Sequence, residues 1–123
     1  MAHDVCMVFC SSDCLDLNNI RSALKKDGLT VENNSDELRC FRDDSPKFTI
    51  RFNQEVQTQA RALGEEYPNY RSRLKNCNAS FEILFDDLSE VLNEVNTLID
   101  IQITLQDKTD GIIFTSWNGI IEI

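Results

Sequence analysis

The chain has 123 residues, 41% of them hydrophobic, and a formal net charge of −9 at pH 7. A chain of this length fits one domain that buries roughly two-thirds of the surface exposed by its unfolded form, and its apolar residues are grouped in periodic runs, which argues against disorder. The negative charge favours a basic protein partner and disfavours binding to nucleic acid or to an anionic membrane.

The negative charge is concentrated in the last part of the chain. Residues 1–53 contain nine acids and seven bases, residues 54–75 three acids and four bases, and residues 76–123 nine acids and one base, Lys108. The N-terminus lacks the basic start of a signal peptide, and no apolar run is long enough to cross a bilayer. We therefore expect a soluble, cytoplasmic protein whose C-terminal part carries the acidic field.

The cysteines are odd in number, which favours reduced thiols over a disulfide framework in a chain without an export signal. Three of them form a C-x3-C-x3-C pattern, but zinc sites favour tighter pairs with further ligands, and the only histidine is His3. An apolar strand over residues 5–10 would also use two of them as small hydrophobic side chains. We predict structural thiols and no metal at the five positions, which are Cys6, Cys10, Cys14, Cys40 and Cys77.

The first half of the chain reads as one strand, one helix and three short strands. After the strand over 5–10, Leu17, Ile20 and Leu24 recur at helical spacing and predict a helix over 15–26, with Gly28 as its stop. Alternating apolar residues then predict strands over 29–31, 38–42 and 47–52. Residues 5–53 thus form a β-α-β-β-β unit.

A long helical segment follows over residues 54–75. Its apolar residues recur at spacings of three and four, so one face of the helix is apolar. Pro68 removes a helical hydrogen bond and crowds the preceding turn, which predicts a kink near Tyr67.

The last part of the chain reads as a second unit of the same order. A strand near 81–85 leads into a helix over 87–99 whose apolar arc includes Leu88, Val91, Leu92 and Val95, and we expect Leu92 in the core. Alternation over 101–105 predicts a strand, and Asn118-Gly119 predicts a two-residue hairpin between strands 112–117 and 120–123.

The order of elements in the two halves recurs at a spacing of about 72 to 75 residues, which indicates an internal repeat. We predict a single α+β domain over residues 1–123, with repeats at 5–53 and 80–123 joined by the kinked helix. Its sheet is expected to be mostly antiparallel, with helices packed on one face.

Catalytic chemistry finds no support in the sequence. No phosphate-binding loop, nucleophile elbow or dinucleotide fingerprint follows any predicted strand. The acid pairs at 43–44 and 86–87 are adjacent residues that point apart, and Asp87 with Glu90 instead resembles a helix capping box. Residues 107–111 lack the oxygen ligands of a calcium site. We predict no enzyme activity and no cofactor.

The predicted helix over 87–99 carries a stripe of carboxylates without a base at the helical spacing that would pair with them. A solvated face is one explanation, and a surface for a basic partner is the other. Trp117 could likewise be a packing residue or an interface anchor. The candidate partner-binding residues are Asp86, Asp87, Glu90, Glu94, Asp107, Asp110 and Trp117.

In its size, acidity, α+β composition and lack of an active-site motif, the chain resembles the small immunity proteins that bacteria make against secreted toxins, many of which are basic nucleases. The resemblance implies a stoichiometric inhibitor, monomeric or weakly dimeric, that covers the basic active site of a toxin domain. Two alternatives stay open: a small ligand-binding regulatory domain with an apolar pocket, and a DNA-mimic inhibitor. The near balance of charge in residues 1–53 speaks against the DNA mimic.

Overall fold

The computed structural model describes residues 4–12, 17–34, 37–42 and 45–121. Its strands are β1 Cys6–Cys10, β2 Thr30–Asn34, β3 Glu37–Phe41, β4 Phe48–Asn53, β5 Ala79–Leu84, β6 Ile112–Thr115 and β7 Gly119–Ile121. Its helices are α1 Leu17–Lys26, α2 Gln57–Glu66, α3 Arg71–Lys75, α4 Leu88–Asn93 and α5 Val95–Thr109. No helix within these ranges has the length and apolar character that a membrane span requires.

The seven strands form one antiparallel sheet in the order β2-β3-β4-β5-β1-β6-β7. The inner strand β1 pairs with β5 on one side and β6 on the other, and all five of its residues are buried. The α+β class and the antiparallel sheet predicted from the sequence are confirmed.

Helices cover both faces of the sheet rather than the single face predicted. Cys6, Val8 and Cys10 pack with α1, α4 and α5, whereas Met7 and Phe9 pack with α2 and α3. Because successive residues of a strand point to opposite faces, a strand that is apolar at every position requires a cover on each side.

The second half does not repeat the first element by element, and the predicted internal repeat is not confirmed. Residues 101–105, predicted as a strand, lie in the middle of α5. Leu98, Ile101 and Leu105 are buried, whereas Ile103 is 39% exposed. Spacings of three and four place the three buried residues on one side of a helix, so the strand prediction is wrong.

The helix predicted over 87–99 is interrupted at Glu94, whose backbone angles of φ −132° and ψ 64° are not helical. Asp87 caps α4, since its side chain accepts a hydrogen bond of 2.9 Å from the Ser89 amide. Val91 is fully buried, but Leu92 is 48% exposed. The predicted cap is confirmed, and the expectation that Leu92 belongs to the core is wrong.

The linking segment breaks at the predicted place. Helix α2 ends at Glu66, a 3₁₀ turn spans Pro68–Tyr70, and α3 follows directly. Tyr67 has an extended φ of −124°, as expected for a residue that precedes proline. The kink near Tyr67 is confirmed.

The hairpin predicted at Asn118-Gly119 is present with a longer loop. Thr115 pairs with Gly119, so the loop contains three residues, 116–118. Gly119, which directly follows the loop, has φ +73°, a left-handed conformation that glycine adopts without a steric penalty.

Candidate functional site

An apolar groove lies between the α4–α5 junction and the β6–β7 hairpin. Its volume is about 310 Å³. Most of the side chains around it are apolar, and the lining residues are Leu92, Val95, Leu98, Ile99, Gln102, Trp117, Asn118 and Ile121.

Leu92 borders this groove because of the helix break. A continuous helix would have carried the apolar arc of residues 88–99 along the sheet, whereas the turn at Glu94 separates α4 from α5 and leaves Leu92 48% exposed. An exposed leucine alone is ordinary, but this one adjoins a concave apolar surface.

Trp117 forms the opposite side of the groove, and aromatic packing fixes its ring. The ring meets that of Phe85 edge-on, with centroids 5.8 Å apart and planes at 77°. Phe85 in turn meets the buried Phe48 at 6.3 Å. Trp117 is half-buried and rests on the core, so the groove presents a rigid aromatic side chain.

Gln102 lies at the base of the groove and is almost fully buried. Its side-chain nitrogen donates a hydrogen bond of 3.2 Å to Cys6 Sγ. Burial raises the pKa of Cys6 to about 11, although this hydrogen bond partly opposes the increase. Cys6 is therefore a protonated thiol at neutral pH and a poor nucleophile.

Three carboxylates lie close to this groove in the sequence, although none of them lines it. Asp86 and Asp87 directly follow Phe85, which holds Trp117, and Glu90 shares α4 with Leu92. All three are exposed. None of them forms an ion pair with another residue in the part of the chain that the structure describes. We call Leu92, Trp117 and these three acids the acidic groove.

Glu94 differs from the other acids of the predicted stripe because it belongs to a network around Arg42. The Arg42 side chain donates three hydrogen bonds. The acceptors are Asp100 Oδ2 at 2.6 Å, Thr97 Oγ1 at 3.4 Å and the Asp27 carbonyl oxygen at 2.9 Å. The Thr97 hydroxyl donates to the Glu94 carboxylate. Glu94 and Asp100 are thus compensated in part by a base from the balanced half of the chain.

Asp107 and Asp110 lie at the far end of α5. At 1.5 Å of rise per residue, Asp107 is about 18 Å along the axis from Val95. Asp110 is exposed with φ +52°, and its carbonyl oxygen accepts a hydrogen bond of 3.3 Å from Arg73. The chain therefore places Asp86, Asp87 and Glu90 within a few residues of Phe85 and Leu92, whereas Asp107 and Asp110 lie at the opposite end of α5 from the groove residue Val95.

The apolar part of this site, notably Leu92 and Ile121, was not predicted from the sequence. Leu92 occupies a helical core position in the pattern, and no proline or glycine marks the break at Glu94. Only the placement of α4 against the hairpin makes these residues a surface.

The described cysteines are packed inside the protein. Cys6, Cys10, Cys40 and Cys77 are buried, and burial raises the pKa of Cys40 to about 12 and that of Cys77 above its ordinary value. Cys6 and Cys10 are four residues apart on one strand, or about 13 Å, which is too far to share one ion. Across the described ranges no cluster of three or more His, Cys, Asp or Glu side chains could hold a metal. Cys14 and His3 lie outside these ranges.

Comparison of the chain with protein-family models, curated proteins and solved structures finds no match.

Proposed function

We propose that this chain is a binding protein that holds a basic protein partner in the acidic groove, and that it neutralises a toxin domain such as a nuclease in the manner of an immunity protein. The observation that carries the proposal is an apolar groove lined by the exposed Leu92 and the half-buried Trp117, with three acids close by in sequence that form no ion pair among the described residues. A cytoplasmic location belongs to the proposal, and the unbridged thiols of Cys6, Cys40 and Cys77 fit a reducing compartment.

The two parts of the groove contribute differently to binding. Trp and other large apolar anchors supply most of the binding energy of protein interfaces when a partner buries them. Carboxylates at the edge act mainly on the association rate and on partner choice. No Lys or Arg occurs between residues 76 and 107, so the local field remains negative and attracts a basic surface.

A small ligand-binding domain is the second candidate. The groove volume of about 310 Å³ lies at the lower limit of ligand pockets, which span roughly 300–1,000 Å³, and Gln102 supplies a polar group at its base. The acids close to the site in sequence form no ion pair among the described residues, however, which favours a basic protein surface over an apolar small molecule. The pairing of Asp100 with Arg42 gives little support to a DNA mimic.

The test is affinity capture from extracts of the producing cells, with recovery quantified by mass spectrometry. The acidic-groove variant combines Asp86→Asn with Glu90→Gln. The matched control combines Glu65→Gln with Glu66→Gln, two exposed acids on α2 across the sheet.

A basic protein captured by the wild type and by the control, but lost with the acidic-groove variant, would support the proposal. Equal capture of that protein by both variants, or capture of acidic proteins only, would contradict it. Because exposed charges affect stability little, both variants should keep the far-UV circular dichroism of the wild type.

A further inference from the structure

The sheet has two outermost strands, β2 and β7, and they differ in chemistry. Strand β2 exposes polar side chains, including Thr30, Glu32 and Asn33. Charged and polar residues on an edge strand discourage the addition of another strand. Strand β7 consists of Gly119, Ile120 and Ile121 and has no charged side chain. The three described residues of β7 therefore lack the charged and polar side chains that β2 exposes, although Glu122 follows them in the sequence.

Strand β7 also joins both hydrophobic clusters. Ile121 packs with the cluster that contains Trp117, and Ile120 packs with the cluster that contains Tyr67 and Tyr70. Both isoleucines are only partly buried. An added strand would extend each cluster by one row of side chains, since alternate residues of a strand point to opposite faces.

The acidic groove runs beside this edge. Ile121 lines the groove together with Leu92 and Trp117, so every second side chain of a strand added to β7 would lie next to the groove. Backbone hydrogen bonds to the edge would supply affinity, and the groove would select the side chains.

The charge near β7 indicates which kind of chain could pair with this edge. A second copy of this chain would bring another net charge of −9 and a second set of carboxylates to the same edge, and like charges repel at an interface. An extended segment with Lys or Arg beside Asp86, Asp87 and Glu90 is the complementary occupant.

We propose that the partner adds an extended segment to the free edge of β7, with an apolar side chain in the acidic groove and basic side chains beside its carboxylates. This inference rests on the proposed function and specifies how the partner binds. It requires an open edge as well as a groove, so the two can be tested separately.

The probe is a synthetic peptide of four Lys-Val repeats, blocked at both ends, titrated into the full 15N-labelled chain. Three control peptides are used: the same sequence N-methylated at every lysine and valine, so that no backbone N–H within the repeats can donate a strand hydrogen bond; a Glu-Val peptide of equal length; and the Lys-Val composition in scrambled order with two prolines.

The Lys-Val peptide should shift the amide resonances of Ile120 and Ile121 and the indole resonance of Trp117, and slow hydrogen exchange along β7, while Val31 and Glu32 in β2 stay unchanged. The N-methylated and proline peptides should bind roughly tenfold or more weakly, because they lose backbone hydrogen bonds. The Glu-Val peptide should not bind.

Failure of this inference and of the proposed function give different results. If the N-methylated peptide shifts Trp117 as strongly as the Lys-Val peptide does, with no protection at β7, strand addition is overturned and the groove keeps its role. If the Lys-Val peptide shifts β2 alone or no residue of the groove, or if the Glu-Val peptide binds equally, strand addition and the charge argument are both overturned.

Discussion

Trp117 meets Phe85 edge-on at a centroid separation of 5.8 Å, and this contact joins the β6–β7 hairpin to the end of β5. Phe85 directly precedes Asp86 and Asp87. The contact therefore places the start of the acidic segment next to the hairpin.

Replacing Phe85 by Leu should loosen Trp117. Aromatic pairs contribute about 0.5–1.5 kcal/mol beyond burial, so we expect a comparable loss in the free energy of unfolding, measured by urea titration with far-UV circular dichroism. Trp117 is the only tryptophan, and its emission should shift to longer wavelength in the folded variant.

The control for that change is Phe52→Leu. Phe52 is also partly buried and packs on Phe81 at 5.2 Å. Its loss should reduce stability by a similar amount while the emission of folded Trp117 stays at the wild-type wavelength. An equal spectral shift in both variants would mean that the Phe85 contact does not position Trp117.

Neighbouring apolar residues of α4 should differ in their effect on stability. Val91→Ala removes a fully buried side chain and should cost roughly 2 kcal/mol through lost burial and the cavity left behind. Leu92→Ala removes a larger but half-exposed one and should cost about 1 kcal/mol or less. Urea unfolding measures both, and a larger loss for Leu92 than for Val91 would contradict the helix break at Glu94.

Gly119 and Tyr67 should be energetically coupled. A Cβ at Gly119 would overlap the Tyr67 hydroxyl, and Gly119 also has φ +73°. Gly119→Ala should therefore cost more than the roughly 1 kcal/mol expected for Gly28→Ala, since Gly28 has φ +89° but open space around it. Thermal or urea unfolding provides the comparison.

Tyr67→Phe removes the overlapping hydroxyl and should restore part of the stability lost in Gly119→Ala. A double-mutant cycle measures this coupling directly. Additive losses would show that only the backbone angle of Gly119 matters, and the packing of the hairpin on the Tyr67 kink would then be excluded.

Alkaline pH should destabilise the fold through its buried thiols. Below pH 9.0, the ordinary thiol value, the thiols are protonated in both states and stability is unaffected. Above it the unfolded chain loses these protons first, because burial holds the pKa of Cys6 at about 11 and that of Cys40 at about 12. The free energy of unfolding therefore falls as pH rises from 9 towards these values.

Urea titrations between pH 7 and 11 test whether the free energy of unfolding falls as pH rises. In a Cys40→Ala variant, which is less stable at neutral pH, the decline in the free energy of unfolding above pH 9 should be shallower than in the wild type.

Native thiol labelling at pH 8 in a Cys14→Ser background should be slow at all four remaining positions. Rapid labelling of Cys6 or Cys40 would contradict their burial.

Local signals made much of the fold predictable. Gly28 ends α1 with a left-handed backbone, Asp87 caps α4 through its own side chain, and Pro68 breaks the linking helix. Each effect acts within a few residues and needs no tertiary information. The continuous apolar run of β1 also contained the signal for a strand covered on both faces.

The remaining features depend on contacts between distant residues. Ile101 and Leu105 satisfy both a strand pattern and a helix pattern, and only the exposure of Ile103 in the folded chain separates them. The groove likewise depends on the placement of Leu92 near Trp117, which is 25 residues away in sequence. Asp100 belongs to the acidic half by sequence but pairs with Arg42 in space.

Trp117 emission during titration with the captured basic protein tests the central claim most directly. The account predicts a saturating shift to shorter wavelength at one partner per chain as the indole is buried, with association slowed roughly tenfold or more by Asp86→Asn with Glu90→Gln at low salt. That difference should shrink at physiological ionic strength, where screening acts over about 8 Å. Tight binding that leaves Trp117 emission and the variant's association rate unchanged would contradict the account, because the partner would then bind away from the acidic groove.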